Sequence, residues 1–174
     1  MRPDVSPTGH QRILGEKEII VSKTDLTGKI TYANNKFLTI SGFQESELLG
    51  IQHNIIRHPQ MPRVIFKFLW DQLNAKNEVF AYVLNLCKHG DHYWVLAHVT
   101  PSLNDAGVVT GYHSSRRAVD QSIVQSTIVP VYEQLSKAEK STTSPKQGLE
   151  SSYKTLLSFI QENGGNYDKW LFSL

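Results

Sequence analysis

Short runs of β-branched and aromatic residues separated by turn-forming segments recur along the chain, and this pattern predicts β-strands. Residues 19–21 and 30–33 form the first two runs, and residues 25–29 between them have the composition of a turn. Three longer runs follow, at residues 79–87, 92–101 and 108–119. The gaps between these runs are short, polar and contain glycine, so we expect a hairpin and then an antiparallel three-stranded meander.

Helical spacing is found between the hairpin and the meander. Asn34 can cap a short helix in which Phe37 and Ile40 lie on one face and Gly42 marks the end. A second short helix is expected near residues 45–49. These segments predict short helices beside the sheet.

A longer helix is predicted from Pro62 to about residue 75, because proline suits the first helical position. Its apolar residues cover more than one stripe, which favours burial over much of its surface. These residues are Ile65, Phe66, Phe68, Leu69, Trp70 and Leu73.

The remaining segments complete the predicted organisation. Residues 1–17 are polar and contain proline, as expected of a flexible N-terminal arm, and residues 18–119 form the domain. A helix over 120–140 has apolar residues at helical spacing, although Pro130 should kink or divide it. Residues 141–148 have linker composition, and residues 149–174 form an amphipathic helical tail.

Composition narrows the possible functions. The 174 residues are 40% hydrophobic and 20% charged, as in a globular domain, and the net charge of +2 is too small to favour nucleic-acid binding. A single cysteine, Cys87, excludes a disulfide framework and a multi-cysteine metal site. No apolar run approaches the ~20 residues of a membrane helix, and residues 1–10 lack a secretory signal. We therefore expect a soluble cytoplasmic protein without membrane insertion.

Several motifs resemble the PAS domain of the bacterial aerotaxis transducer type, over residues 22 to about 117. The most specific blocks are His-Asn-Ile-Ile-Arg-His-Pro at 53–59, Met-Pro at 61–62 and Gly-Asp-His-Tyr-Trp-Val at 90–95. Asn-Xaa-Xaa-Phe at 34–37 and Ser-Gly-Phe at 41–43 are shared by PAS domains generally. The resemblance implies an α+β PAS fold: a five-stranded antiparallel sheet, short helices on one face and a helical C-terminal extension.

The same resemblance implies a function in which pocket-bound FAD reports redox or energy state. The positions that match the family's flavin pocket or its signalling residues are Asn34, Arg57, His58, Phe66, Asn85 and Tyr93. Arg57 offers a charge-assisted fork for a pyrophosphate, and the Asn85 amide can pair with the edge of a flavin ring.

The chain departs from the family at four positions. Val79 replaces a tryptophan, Gln60 replaces an aspartate, and Leu86 and Cys87 replace two basic residues. These changes remove plausible cofactor contacts, so haem and an empty pocket remain alternatives to FAD. Haem is suggested by the seven histidines, four of which lie in the strand region at His89, His92, His98 and His113. Without a ligand, the protein would act as a dimerisation and interaction scaffold.

We expect sensing without catalysis, since no nucleophile, base and orienting group come together in the sequence. No metal site is expected either. No transmembrane span or long heptad coiled coil follows the PAS block, so the domain is expected to signal in trans. The expected partner is a membrane chemotaxis receptor or another two-component protein in an energy-taxis pathway. The tail would serve docking, dimerisation or packing on its own domain.

Overall fold

The computed structural model describes residues 5–174. Their contacts divide them into two compact units. The residues up to Pro59 and Gln72–Val119 form the first unit, and Gln60–Asp71 and Asp120–Leu174 form the second. Each unit is described by itself.

The first unit contains a five-stranded sheet in which every neighbouring pair is antiparallel. The strands are β1 (Ile20–Thr24), β2 (Ile30–Ala33), β3 (Val79–Leu86), β4 (His92–Leu103) and β5 (Val109–Arg117). They lie in the order β2-β1-β5-β4-β3. The predicted five-stranded α+β fold is therefore confirmed.

Short helices follow β2, as predicted. They are α1 (Asn35–Ser41), α2 (Glu45–Leu48) and a 3-10 turn (His53–Ile56). Gly42 ends α1 with a φ of 76°, and its N–H donates to the Leu38 carbonyl. Glycine adopts this left-handed backbone without the penalty that a Cβ atom brings.

The N-terminal arm hydrogen-bonds to the start of β4. The Thr8 N–H donates to the Gly90 carbonyl at 2.9 Å, and the Arg12 N–H donates to the His92 carbonyl at 2.7 Å. Arg12 also pairs with Asp91, with 2.9 Å between Nε and Oδ2. The arm over residues 1–17 is predicted to be flexible, but part of it is anchored. The Asp91 carboxylate binds Arg12, and the backbone hydrogen bonds hold the segment beside β4. Residues 1–4 of that arm lie outside the described residues.

A longer helix, α3 (Arg63–Asn74), begins in the second unit and ends in the first. Its extent agrees with the predicted helix. Val64, Ile65 and Phe68 are buried, but Trp70 is 36% exposed. The helix is therefore buried along one face, and less of its surface is buried than its apolar content predicts.

The second unit is helical. After the start of α3 it contains α4 (Gln121–Ile123), a π-helical turn (Val124–Ile128), α5 (Val129–Glu139), α6 (Pro145–Glu162) and α7 (Tyr167–Leu171). The backbone stays in the right-handed helical region where α4 meets the π-helical turn and where that turn meets α5. In the part of the chain that is described, no helix combines the length and the apolar content needed to cross a bilayer.

The irregularity predicted at Pro130 is this π turn. The Val129 N–H donates to the Val124 carbonyl, five residues earlier. Proline has no N–H, and its ring crowds the carbonyl four residues before it. A wider turn directly before Pro130 accommodates that ring while the helix continues.

The predicted linker at 141–148 is too long. Ser144 caps α6 by accepting a hydrogen bond from the Gln147 N–H, and Pro145 occupies the first turn. Gly148 is inside the helix, where a Cβ atom would lie 2.1 Å from the Glu139 carbonyl oxygen. The glycine thus permits a close approach of α6 to the end of α5, and the connection between the two helices is residues 140–144.

Candidate functional site

One face of the sheet carries an unusual set of buried polar side chains. Paired residues on antiparallel strands share a face, and residues two apart on a strand share it as well. The register pairs Asn85 with Tyr93, Ala97 with Arg116, and Ser22 with Ser114. Together with the alternation along β3, β4 and β5, this places all six side chains on the same face, which we call the inner face.

Four polar atoms on the inner face are buried and have no hydrogen-bond partner among the described residues. They are Asn85 Nδ2, Tyr93 Oη, Ser114 Oγ and Arg116 Nη1. Asn85 is 3% exposed, Tyr93 0% and Arg116 4%. Each buried polar group without a partner costs about 1–3 kcal/mol, so four on one face indicate a surface suited to a polar ligand.

Short side chains follow Arg116 across the sheet on its β4 side. A row across the sheet runs from Ile20 on β1 through Arg116 on β5 to Ala97 on β4 and Ala81 on β3. The two alanines contribute only a methyl group each. The inner face on the β4 side of Arg116 is therefore lined by short side chains.

Arg116 is held at one end of its guanidinium. Nη2 donates to Ser22 Oγ at 2.9 Å and to His53 Nε2 at 2.6 Å. The Phe37 ring centre is 5.3 Å from Cζ, a distance that permits a cation–π contact. Arg116 forms no ion pair with a carboxylate of the described chain.

Burial, more than the Arg116 charge, sets the protonation states of the groups around Arg116. Burial, and then the Arg116 charge, lower the pKa of His53 to about 3, so the imidazole is neutral and Nε2 accepts the hydrogen bond. Burial lowers the pKa of Arg116 itself to about 10, which leaves it charged at neutral pH. Burial raises the pKa of Tyr93, so its hydroxyl keeps its proton.

Four of the six predicted site residues come together at one end of the sheet. Asn85 and Tyr93 lie on the inner face, whereas the His58 ring lies near His92, which the alternation along β4 places on the opposite face. Arg57 forms an isolated antiparallel bridge with Asn85, which pairs with Tyr93. His58 is 3% exposed, and its ring centre lies 5.8 Å from that of His92 on β4. The chain leaving the 3-10 turn thus brings Arg57 and His58 to the β3–β4 pair.

The other two predicted residues are placed differently. Asn34 caps α1: its Oδ1 accepts from the N–H groups of Phe37 and Val21, and its Nδ2 donates to the Ile19 carbonyl. Phe66 is on the part of α3 that belongs to the second unit. The cofactor roles of all six residues stay predictions.

Sequence reasoning missed Arg116, His53 and Ser22 as members of the site. The available signal was alternation in β5, where Arg116 has the same parity as the buried Tyr112 and the next residue, Arg117, is exposed. Two adjacent arginines look like a solvated pair in sequence. Only the strand register shows that one of them points to the core side.

The four departures from the family also have defined positions. Val79 is buried on the inner face, six residues before Asn85 on β3. Leu86 and Cys87 are both buried, at 4% and 2% exposure, and Gln60 is exposed. The strand positions that differ from the family are thus filled here by apolar side chains.

The histidines that suggested haem are dispersed. His98 bonds Glu78 Oε2 at 2.7 Å and stacks on Phe80, and His113 pairs with Lys23 across β1 and β5. Among residues 5–174, no three His, Cys, Asp or Glu side chains are grouped to hold a metal ion.

The sequence profile of the PAS fold family matches residues 30–116. The chain belongs to the PAS family. The match contains β2 to β5 and the inner-face residues Asn85, Tyr93 and Arg116. The fold recognised from the motifs is therefore confirmed.

Curated relatives support the aerotaxis type of PAS domain. The chain is 38% identical over 129 residues to the aerotaxis receptor of Escherichia coli K12. The aligned residues are 74% of this chain and 25% of that protein. It is 28% identical to a nitrogen fixation regulatory protein of Klebsiella pneumoniae, covering 62% of this chain and 22% of that protein. The PAS chain thus spans about a quarter of the length of these relatives.

Solved structures agree with the PAS fold. A light-oxygen-voltage domain studied with a flavin analogue superposes with a TM-score of 0.57 at 20% identity, covering 67% of this chain and 87% of that one. The blue-light photoreceptor Aureochrome1 LOV domain in its light state gives a TM-score of 0.57 at 17% identity, with coverages of 66% and 90%.

Proposed function

We propose that this PAS domain is a sensory module that binds FAD at the inner face and reports redox or energy state without catalysis. Its proposed location is the cytoplasm, and its proposed output is a signal in trans to a membrane chemotaxis receptor or another two-component partner. The observation that carries the proposal is the group of four buried polar atoms without partners on one face of the sheet. The kinship to the Escherichia coli aerotaxis receptor supports the type of signal.

The residues at the inner face fit a planar ring with polar edges. Asn85 offers the N–H groups of Nδ2, and Tyr93 offers a hydroxyl that donates or accepts. Arg57 and His58, at the same end of the sheet, would bind the polar part of the cofactor. A bound flavin would supply reversible electron uptake, while the protein's part is to orient the ring and exclude water.

Chain connectivity supports transmission from the inner face to the C-terminal helices, which would then act on the partner. β5 carries Arg116, and only residues 118–120 separate it from α4. A change in the hydrogen bonds of β5 thus has a short covalent route to the C-terminal helices. A difference in ligand affinity of a few kcal/mol between two arrangements suffices to shift their populations.

The colour and released ligand of the purified protein test the cofactor. We expect a flavin absorbance spectrum and FAD in the supernatant after denaturation, identified by chromatography. A Soret band would instead establish haem. A colourless protein that takes up no flavin on incubation with FAD would contradict the flavin proposal and favour the scaffold.

Tyr93→Phe tests the inner face directly, because it removes one hydroxyl and leaves the ring. We expect FAD affinity to fall by about tenfold, which corresponds to one lost hydrogen bond of about 1.4 kcal/mol. The matched control is Tyr32→Phe on β2, where the side chain is 44% exposed. Equal FAD affinity in both variants would remove Tyr93 from the site.

The partner is tested with the full chain as bait against detergent-solubilised membranes. We expect capture of a chemotaxis receptor, in an amount that differs between oxidised and chemically reduced bait. Capture of nothing except a second copy of the chain would contradict signalling in trans and favour the dimerisation scaffold.

A further inference from the structure

Arg116 is a buried cation that the described protein satisfies at one end only. Nη2 has two acceptors, Ser22 Oγ and His53 Nε2, whereas Nη1 has none. A guanidinium removed from water is costly unless it is paired, and the Phe37 ring offsets only part of that cost. An arginine with a purely structural role in a core is normally paired with a carboxylate.

The anchors fix which end of the guanidinium remains available. Guanidinium is planar, so two hydrogen bonds to Nη2 define the plane in which Nη1 lies. Ser22 and His53 also contact each other, with 3.1 Å between Oγ and Nε2, and Ser22 is 1% exposed. The neutral imidazole and the hydroxyl thus hold the Nη2 end of the Arg116 guanidinium in place.

The surroundings of Nη1 favour a planar ligand over a phosphate. The other unpartnered groups on the inner face are neutral: the Asn85 amide, the Tyr93 hydroxyl and the Ser114 hydroxyl. The next residues in the same row of the sheet are two alanines, Ala97 and Ala81, whose side chains are short. A phosphate is usually bound by several cations or by a loop of N–H groups, and neither is found at this place in the described chain.

Building on the proposed flavin binding, we propose that Arg116 donates from Nη1 to a carbonyl oxygen of the ligand's ring, and that His53 and Ser22 are the positioning residues that aim it. The site would then prefer a heteroaromatic ligand whose ring carbonyl gains negative charge when the ligand is reduced. A fixed cation at that oxygen stabilises the reduced form relative to the oxidised form.

Replacement of Arg116 tests the proposal in the full chain. With Arg116→Met we expect the dissociation constant for FAD to rise at least about tenfold and the midpoint potential of bound flavin to become more negative. Arg116→Lys, which keeps the charge, should show a smaller shift in potential. The matched control is Arg117→Met, since Arg117 is exposed on the opposite face of β5 and should change neither value.

The positioning residue is tested through His53. His53→Leu removes the acceptor for Nη2 and should shift the potential in the same direction as Arg116→Met, by a smaller amount. His53→Gln restores an acceptor and should return the potential towards the wild-type value. A merely structural role of His53 would lower the melting temperature of both variants without this rescue of the potential.

The outcomes separate this inference from the proposed function. Flavin binding to Arg116→Met with wild-type affinity and potential would overturn the inference and leave the proposed function intact. If the wild-type chain binds no flavin, the proposed function fails. Thermal unfolding then decides whether Arg116 is kept for a ligand or for the stability of the fold. A melting temperature of Arg116→Met as high as that of the wild type supports an arginine kept for an acceptor ligand, whereas a lower one shows a structural arginine.

Discussion

At the residue scale, Asn34 shows how one amide can join three segments of chain. Its Oδ1 accepts from the Val21 N–H of β1 at 3.1 Å and from the Phe37 N–H of α1 at 3.0 Å. Its Nδ2 donates to the Ile19 carbonyl at 2.9 Å. These bonds satisfy backbone groups that would otherwise need water, so the structure assigns Asn34 a clear stabilising role.

We expect Asn34→Ala to lower the free energy of unfolding by about 1–3 kcal/mol, through loss of the cap and of the link to β1. Urea titration measures this change, and Asn35→Ala at the exposed neighbouring position is the control. FAD affinity of the folded variant should stay near the wild-type value. A large loss of affinity would instead support the cofactor role that the family resemblance implies.

Cys87 is a second residue whose chemistry follows from its surroundings. It is 2% exposed, its Sγ donates to the Ile40 carbonyl, and burial raises the pKa of the thiol to about 11. Because the thiolate is the reactive form, we expect almost no reaction with a chromogenic disulfide reagent at pH 8. Reaction should be rapid in denaturant. Fast labelling of the native chain would contradict this burial.

At the element scale, the contact between α5 and α6 depends on small residues. Gly148 faces the Glu139 carbonyl, and Ser152, one turn further along α6, donates from Oγ to the Leu135 carbonyl at 2.9 Å. The two helices run antiparallel, so both contacts bring the α6 backbone close to α5. A longer side chain at either position would separate the helices.

Gly148→Ala should therefore destabilise the protein, by about 1–3 kcal/mol, because the added methyl group overlaps a backbone oxygen. In an unconstrained helix the same change stabilises by about 0.5–1 kcal/mol, so the sign itself is informative. Thermal unfolding measures it. Gln147→Ala, at the exposed neighbouring position, should have little effect, and a stabilised Gly148→Ala variant would refute the close approach.

The elements differ in how well the sequence predicts them. Strands β3 to β5 are predicted closely because β-branched runs end at glycine-containing turns. The start of α6 is missed because Ser144, Pro145 and Gly148 look like a linker by composition. Their true roles, a cap, a first-turn proline and a close contact, depend on neighbours that are distant in sequence.

The site shows the same limit. Arg57, His58 and Tyr93 lie in motifs that carry the family resemblance. Asn85 matches the family as a single position, and the fold brings all four residues to the same end of the sheet. Arg116 meets Ser22 and His53 only through strand register and the path of the 3-10 turn. Single-sequence patterns contain alternation but not register, so this cluster could not be assembled from them.

At the scale of the whole molecule, the buried cluster around Arg116 couples stability to pH. The pKa of His53 is lowered to about 3 in the folded state, against about 6.5 when unfolded. Below pH 6.5 the unfolded chain therefore binds a proton that the folded chain does not, and stability falls as pH falls towards 3. Because the side chain keeps some exposure, we expect a loss of roughly 1–2 kcal/mol from pH 7 to pH 5.

Urea titrations of the wild type and His53→Gln at pH 7 and pH 5 isolate this contribution. The difference in stability between the two pH values should be smaller in His53→Gln, which has no proton to gain at that position. His92 and His113, whose pKa values are also lowered by burial, titrate equally in both proteins and cancel. Identical pH dependence would show that His53 is protonated without cost.

The order of the strands has a practical consequence for anyone who trims this domain. β1 lies between β2 and β5, so a gene fragment that starts at residue 30, where the family match begins, lacks the strand that joins β2 to the rest of the sheet. Such a fragment would leave β5 with an open edge and β2 without a neighbour in the sheet. Open strand edges recruit other chains, so inclusion bodies, rather than a smaller working sensor, are the expected product.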